Sequence, residues 1–158
     1  RIRSIAFGGR LSPEELDKIE EVRAKIVAQS SAFDIKKSEG GMAELEFAVR
    51  LIQMRYAPDI PELNRPDVLG TLKVLQERSI LSESQISALE ETYILFRRVE
   101  NRIRLATGLR GGKLPESPDQ LATLARKLDI EGDLLTRFAQ ARTTVHAIYE
   151  YAIELHRS

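Results

Sequence analysis

The stretch DIKKSEGGMAELEF, residues 34–47, is the part of the sequence where glycine, charge and apolar periodicity change together. Gly40 and Gly41 can adopt backbone conformations that other residues avoid, or let a second backbone approach closely. After them, apolar residues recur at the spacing of one helix face: Met42, Leu45, Val49, Ile52 and Tyr56. The stretch therefore predicts a polar loop that ends at Gly41 and a helix that begins at Met42.

Two further helix starts are marked by capping boxes, in which a serine and an acid or amide three residues later satisfy free backbone amides. They are Ser12-Pro13-Glu14-Glu15 and Ser82-Glu83-Ser84-Gln85. The first predicts a helix to about residue 29, with Val22 or Arg23 on its inward face, and the second predicts the longest helix, to about residue 107. Apolar spacing adds short helices over residues 68–78 and 121–128 and a last helix over residues 134–155.

These elements predict an all-α fold, a single helical bundle of about six helices with one long central helix. Prolines between residues 57 and 66, and the glycines and prolines of residues 108–118, separate the helices, and no strand-like alternation occurs. We expect residues 1–158 to form one helical domain, with residues 1–11 as an arm. Because the chain begins with Arg1 and not with methionine, we expect it to be a fragment of a longer protein.

The composition limits the classes of function. The 158 residues carry 24 basic and 24 acidic side chains, so no net charge attracts nucleic acid or an anionic membrane. There is no cysteine for a disulfide or a thiolate zinc site. No apolar run approaches the roughly 20 residues that a membrane-spanning helix needs. We expect a cytoplasmic protein that contacts neither nucleic acid nor membrane.

The stretch at residues 34–47 resembles the signature that opens the helical domain of bacterial glutamine synthetase adenylyltransferases, with the PII-uridylyltransferases as more distant relatives. The matching residues are Asp34, Ile35, Lys36, Gly40, Gly41, Glu44, Glu46 and Phe47. Lys37, Ser38 and Glu39 depart from the family pattern. The resemblance implies that the signature forms a domain junction and that the arm leads from an upstream nucleotidyltransferase domain of the same chain.

The resemblance also implies that catalysis takes place in a different domain of the parent protein. Nucleotidyl transfer in this family uses a Gly-Ser loop and paired aspartates that hold magnesium, and this sequence contains neither motif. We expect a non-catalytic domain without a cofactor, which positions the catalytic domain and contacts glutamine synthetase. The parent protein would use ATP and magnesium to attach adenylyl to glutamine synthetase or to remove it. The alternative is a stand-alone helical protein-protein interaction module.

Several polar groups in the signature have two interpretations. The loop from Lys36 to Gly41 could bind phosphate at the helix start, but it lacks the spacing of a P-loop, which favours a glycine turn that docks the helix. Glu44 and Glu46 lie about 200° apart around a helix, so they cannot easily share a metal ion. Glu46 can instead pair with Arg50.

Outside the signature, we predict no metal site. Asp129, Glu131 and Asp133 precede the last helix, where acids complement the helix dipole, and nothing completes a calcium loop. His146 and His156 lie ten residues apart near one face of that helix, without further ligands, and are interpreted as ordinary helix residues.

A basic run marks the end of the long helix and leads to Leu114-Pro115. It comprises Arg97, Arg98, Arg102, Arg104, Arg110 and Lys113. A solvated face and a partner surface both remain open for it, the second through the family resemblance. Within the run, Glu100 follows the apolar spacing of Phe96 and Ile103, so we predict a buried ion pair. Its partner would be Arg97, Arg104, Lys36 or Arg50.

Overall fold

The computed structural model describes residues 9–108 and 112–158, and these residues form six α-helices. The helices are α1 (Pro13–Ala28), α2 (Met42–Tyr56), α3 (Val68–Glu77), α4 (Glu83–Thr107), α5 (Pro118–Lys127) and α6 (Leu134–Arg157). Within the described residues the only extended pairing is one antiparallel bridge, between Asp34 and Lys113. The all-α prediction is therefore confirmed.

The helix starts follow from local sequence. Ser12 and Ser82 each form a complete capping box, with Glu15 and Gln85 as the reciprocal side chains. The loop after α2 also contains a short 3-10 helix, Pro61–Leu63, that apolar spacing did not predict. A proline at its first position supplies a helical φ without needing a hydrogen-bond acceptor, and three residues are too few to show periodicity.

Helices α2 and α6 form the largest interface of the bundle. Helix α2 is buried on nearly all sides, while α4, the longest helix, packs against α2, α3 and α6. Phe96 of α4 stacks on Phe138 of α6 with ring centroids 5.9 Å apart. Among residues 9–108 and 112–158, no helix combines the length and apolar character that crossing a bilayer requires.

Helix α1 lies on α6 with Arg23, rather than Val22, turned inward. The residue Val22 is 48% exposed, whereas the Arg23 side chain is 16% exposed and lies over the ring of Tyr149. Residues 1–8 of the predicted arm lie outside the described residues. Leu11, at the end of that arm, is buried, and its N–H donates to Nδ1 of His156 at 3.0 Å.

Candidate functional site

The loop before α2 is held by its own aspartate and by a distant segment. The buried carboxylate of Asp34 accepts hydrogen bonds from the N–H groups of Lys36 and Lys37, both at 3.0 Å, which closes an Asx turn. The N–H of Ile35 donates to the carbonyl of Gly112 at 2.8 Å. The N–H of Leu114 donates to the carbonyl of Phe33 at 2.7 Å. The signature loop is thus tied to the segment that contains Leu114-Pro115.

The two signature glycines serve different geometric needs. Gly40 has φ +71°, and a β-carbon there would overlap the backbone of Arg142 on α6. Gly41 has φ −79°, so it does not need the left-handed region that we considered for it. A β-carbon at Gly41 would nevertheless lie 2.7 Å from the carbonyl oxygen of Ile35. Close packing therefore requires glycine at both positions, and the positive φ belongs to Gly40 alone.

The amides that a phosphate would need at this helix start are already bound within the domain. The Gly41 N–H donates to the Ser38 carbonyl at 2.8 Å. The Met42 and Ala43 N–H groups donate to loop carbonyls, both at 2.9 Å. The Gly40 N–H donates to the Glu44 carboxylate at 2.5 Å. This arrangement favours the docking turn over the phosphate site.

Glu44 is the centre of a polar cluster that joins α1, α2 and α6. Its carboxylate is 2% exposed, accepts from Nε of Arg23 and lies 3.3 Å from Nδ1 of His146. Burial alone would lower the pKa of Arg23, but the hydrogen bond and charge of Glu44 outweigh it and raise that pKa above its usual value. Burial also raises the pKa of the neighbouring Tyr149 to about 12. The cluster is a structural tie between three helices.

Glu46 and Phe47 lie on other sides of α2. Glu46 is exposed and Phe47 packs partly buried against the core. The proposed pairing of Glu46 with Arg50 does not form, because Arg50 is drawn to the proline turn before α3. Its guanidinium donates to the carbonyls of Arg65, at 3.1 Å, and Pro66.

Glu100 links the signature loop to α4. Nζ of Lys36 lies 2.9 Å from one of its oxygens and Nη1 of Arg97 lies 3.5 Å from the other. The side chain is 17% exposed, so Glu100 is partly and not fully buried. Of the partners considered, Arg50 lies in the proline turn and Arg104 donates to Asn101 at 3.1 Å.

The arginines of the basic run are used differently. Arg97 pairs with Glu100, and Arg98 donates to the carbonyl of Leu128 at 2.9 Å, which connects α4 to the end of α5. Arg102 lines a cleft between α4 and α5. Arg110 lies outside the described residues. Arg97 and Arg98 are exposed and Arg102 is partly exposed, so a partner surface at these residues stays a prediction.

Asp133 and His156 form hydrogen bonds that stabilise the fold. Asp133 caps α6 by accepting from the Thr136 N–H at 3.1 Å. His156 is buried, accepts from Leu11 and lies 2.7 Å from the Leu51 carbonyl through Nε2. In the part of the chain that the structure describes, no three His, Cys, Asp or Glu side chains are grouped as metal ligands.

The sequence did not predict the tertiary contacts of Arg23, His146 and His156. The choice between Val22 and Arg23 was left open because both lie near the same helix face. A histidine among apolar residues at helical spacing, as in Ile153 to His156, is a signal of burial, yet it does not identify the partner. The polar face of α5, with Gln120, Thr123 and Lys127, carried no signal at all.

Comparisons with known proteins place these features in a family. A family model described as GlnD PII-uridylyltransferase matches residues 14–153. The bifunctional glutamine synthetase adenylyltransferase/adenylyl-removing enzyme of Streptomyces coelicolor is 25% identical over 155 residues, which covers 89% of this chain and 16% of that protein. The protein of the same name from Aromatoleum aromaticum is 28% identical over 109 residues, covering 69% of this chain and 12% of that protein.

A third relative of the same name, from Corynebacterium glutamicum, is 31% identical over 90 residues, or 57% of this chain and 9% of its own length. The chain therefore spans about a sixth or less of these curated relatives. The resemblance drawn from residues 34–47 is confirmed along most of the sequence. This chain belongs to the GlnD PII-uridylyltransferase family.

Proposed function

We propose that this chain is the helical domain that follows a nucleotidyltransferase domain in an enzyme related to glutamine synthetase adenylyltransferases. In this proposal it positions the catalytic domain and supplies no catalytic group. The supporting observation is that the signature residues Asp34, Gly40, Gly41 and Glu44 bond or pack against the domain's own helices and loops. Residues used in this way fix the shape of a junction and are not presented to a nucleotide.

The surface of the junction then faces the catalytic domain. Lys37 and Glu39 are the exposed residues of the signature loop, and both lie where the chain departs from the family pattern. A change at Lys37 alters the contact with a neighbouring domain and leaves the buried residues in place, whereas Glu39 also pairs with Arg23 at 3.0 Å and so lies at the edge of the Glu44 cluster. By this proposal, the parent protein uses ATP and magnesium and acts on glutamine synthetase in the cytoplasm. The signature loop fixes the position of its catalytic domain relative to the helical domain.

The proposal is tested by assaying adenylyl transfer with and without the upstream domain. The 158-residue chain and the longer natural polypeptide are each incubated with radiolabelled ATP, magnesium and glutamine synthetase. We expect labelling of glutamine synthetase, or its phosphorolytic loss from labelled enzyme, only with the longer polypeptide. Metal-dependent labelling by the chain alone would contradict the non-catalytic role. An upstream segment without a Gly-Ser loop and paired aspartates would favour the stand-alone interaction module.

A further inference from the structure

A cleft of about 420 Å³ opens between the C-terminal half of α4, helix α5 and residues 113–115. Its volume falls in the range of about 300 to 1,000 Å³ that is usual for ligand sites. The apolar part of its lining comes from Ile103, Ala106, Leu114, Pro115 and Leu124. The polar part of the lining includes one face of α5, where Gln120, Thr123 and Lys127 are spaced three and four residues apart.

The charge of this cleft is of one sign. Arg102, Lys113 and Lys127 line it, and no acidic side chain does among the lining residues that the structure describes. Within residues 9–108 and 112–158, none of these cations forms an ion pair, whereas Arg97 and Lys36 nearby both pair with Glu100. Because the whole chain has no net charge, the cleft is a local positive region that attracts carboxylates.

Residues 112–114 also offer a backbone edge. The carbonyl of Gly112 and the N–H of Leu114 bond to the signature loop, so the N–H and carbonyl of Lys113 point to the opposite side of this extended segment. Neither group has a hydrogen-bond partner among the described residues. An unpaired edge of this kind accepts an extended peptide by strand addition.

We propose that the cleft binds an extended acidic segment of a partner protein. An apolar side chain of that segment lies on Ile103 and Leu124, its carboxylates pair with the cations, and its backbone pairs with Lys113. A nucleotide fits the same charge less well, because no aromatic ring among the described residues of the lining can stack on a base. This inference goes beyond the proposed function, since it does not require a nucleotidyltransferase domain.

The test uses a synthetic probe and the 158-residue chain. The probe is a fluorescein-labelled peptide, capped at both ends, with one central leucine flanked by aspartates, and binding is followed by fluorescence anisotropy. Arg102→Glu and Lys127→Glu remove cleft cations, and Lys113→Ala does so outside any helix. The matched control is Lys73→Glu, because Lys73 is an exposed lysine on α3 with no ion pair in the described part of the chain. Circular dichroism verifies that each variant is folded.

We expect saturable binding that each charge reversal weakens by about fivefold or more and that added salt weakens further. Lys73→Glu should change the affinity by less than about twofold. Replacing the leucine of the probe by serine should cost about tenfold or more, because the apolar contact is lost. The inference is overturned if the probe does not bind, if Lys73→Glu weakens binding as much as Arg102→Glu, or if the serine probe binds equally well. Displacement of the probe by ATP at equal concentration would assign the cleft to nucleotides instead.

Discussion

The α2–α6 interface and the cleft between α4 and α5 treat their polar groups in opposite ways. At the interface, Glu44 and His156 are each 2% exposed and bonded to neighbouring groups. In the cleft, Arg102 and Lys127 have no ion pair within the described residues. Burying a polar group without a partner is costly, while an exposed charge is satisfied by water. Groups of the first kind specify the fold, and groups of the second kind are available to bind.

The residues that identify the family differ from the residues that are available to bind a ligand. The residues that reveal the family, such as Gly40 and Glu44, lie at the interface and act within the domain. The cleft residues on α5 were not part of the family signature. The buried part of the signature therefore marks the place where the chain is constrained, and groups that are free to bind lie outside it, as the exposed Lys37 and the cleft cations do.

The largest effect is expected at Gly40. Gly40→Ala should lower the free energy of unfolding by about 4 kcal/mol, because alanine is strained at φ +71° and its β-carbon would overlap the Arg142 backbone. The measurement is urea unfolding at neutral pH.

The control for Gly40 is Gly132→Ala. Gly132 has φ +83° but no atom near the added β-carbon, so only the backbone cost of about 1 kcal/mol applies. Gly41→Ala should fall between the two, since its φ is ordinary and the cost comes from close contacts of the added β-carbon with the carbonyl oxygens of Ile35, at 2.7 Å, and Ser38, at 2.8 Å. Equal losses of unfolding free energy for Gly40→Ala and Gly132→Ala would show that the close contact between Gly40 and the α6 backbone adds no cost.

The next effect is expected at Glu44. Glu44→Gln should cost about 3 kcal/mol, because it removes the buried carboxylate from the largely buried guanidinium of Arg23 and leaves it the exposed carboxylate of Glu39 at 3.0 Å. Glu46→Gln, two residues away on an exposed position, should change stability by less than about 0.5 kcal/mol. Thermal and urea unfolding of both variants give the comparison. A small loss at Glu44 would mean that the cluster with Arg23 and His146 contributes little to the interface.

These residues also show how far the sequence could lead. Helix starts were predictable because a cap such as Ser12 with Glu15 acts within four residues. The glycine turn was predictable because only glycine tolerates such close packing. The partners of Glu44 were not, since Arg23 and His146 lie 21 and 102 residues away in sequence. The periodicity of apolar residues identifies the buried face of a helix, but it does not identify the helix that packs on that face.

The cleft was hidden for a different reason. Its walls come from α4, α5 and the loop between them, and each wall looks like an ordinary solvated surface in the sequence. The third wall, residues 113–115, is attached to the loop before α2 through the bridge between Asp34 and Lys113. The basic run left a solvated face and a partner surface open, and its arginines have different contacts: Arg97 is in an ion pair, Arg98 bonds to the end of α5, and Arg102 lines the cleft.

The pH dependence of stability probes the other end of the α2–α6 interface. Burial lowers the pKa of His156 below its ordinary value of 6.5, while the Leu51 carbonyl opposes the shift and Arg55 and Arg10 add to it. The unfolded chain therefore takes up this proton first on acidification. The stability from neutral His156 is complete above pH 6.5 and is lost as the pH falls toward the folded pKa, by up to about 1.4 kcal/mol per pH unit.

His156→Gln removes this contribution to the pH dependence. Urea unfolding at several values between pH 5 and 8 should show a shallower loss of stability on acidification for the variant than for the natural chain. Identical pH slopes would mean that His156 titrates alike in the folded and unfolded chains.

The smallest effect is expected at Glu100, which connects the two regions compared above. Its partner Lys36 belongs to the signature loop, and its helix α4 continues into the wall of the cleft. Glu100→Gln should cost about 1 kcal/mol, between a buried pair and a surface pair, because Glu100 is 17% exposed and Lys36 is 43% exposed. Glu91→Gln, on an exposed position of the same helix, is the control and should cost less than about 0.5 kcal/mol.

A double-mutant cycle then decides whether Lys36 or Arg97 carries the interaction with Glu100. Lys36 lies 2.9 Å from the carboxylate and Arg97 lies 3.5 Å from it, so the coupling of Glu100→Gln with Lys36→Met should exceed that with Arg97→Met. A larger coupling to Arg97 would confine the pair to α4 and detach the loop from it. A larger coupling to Lys36 means that the ion pair between Lys36 and Glu100 joins α4 to the signature loop. Because α4 also lines the cleft, a partner bound there would then contact a helix that is energetically coupled to that loop.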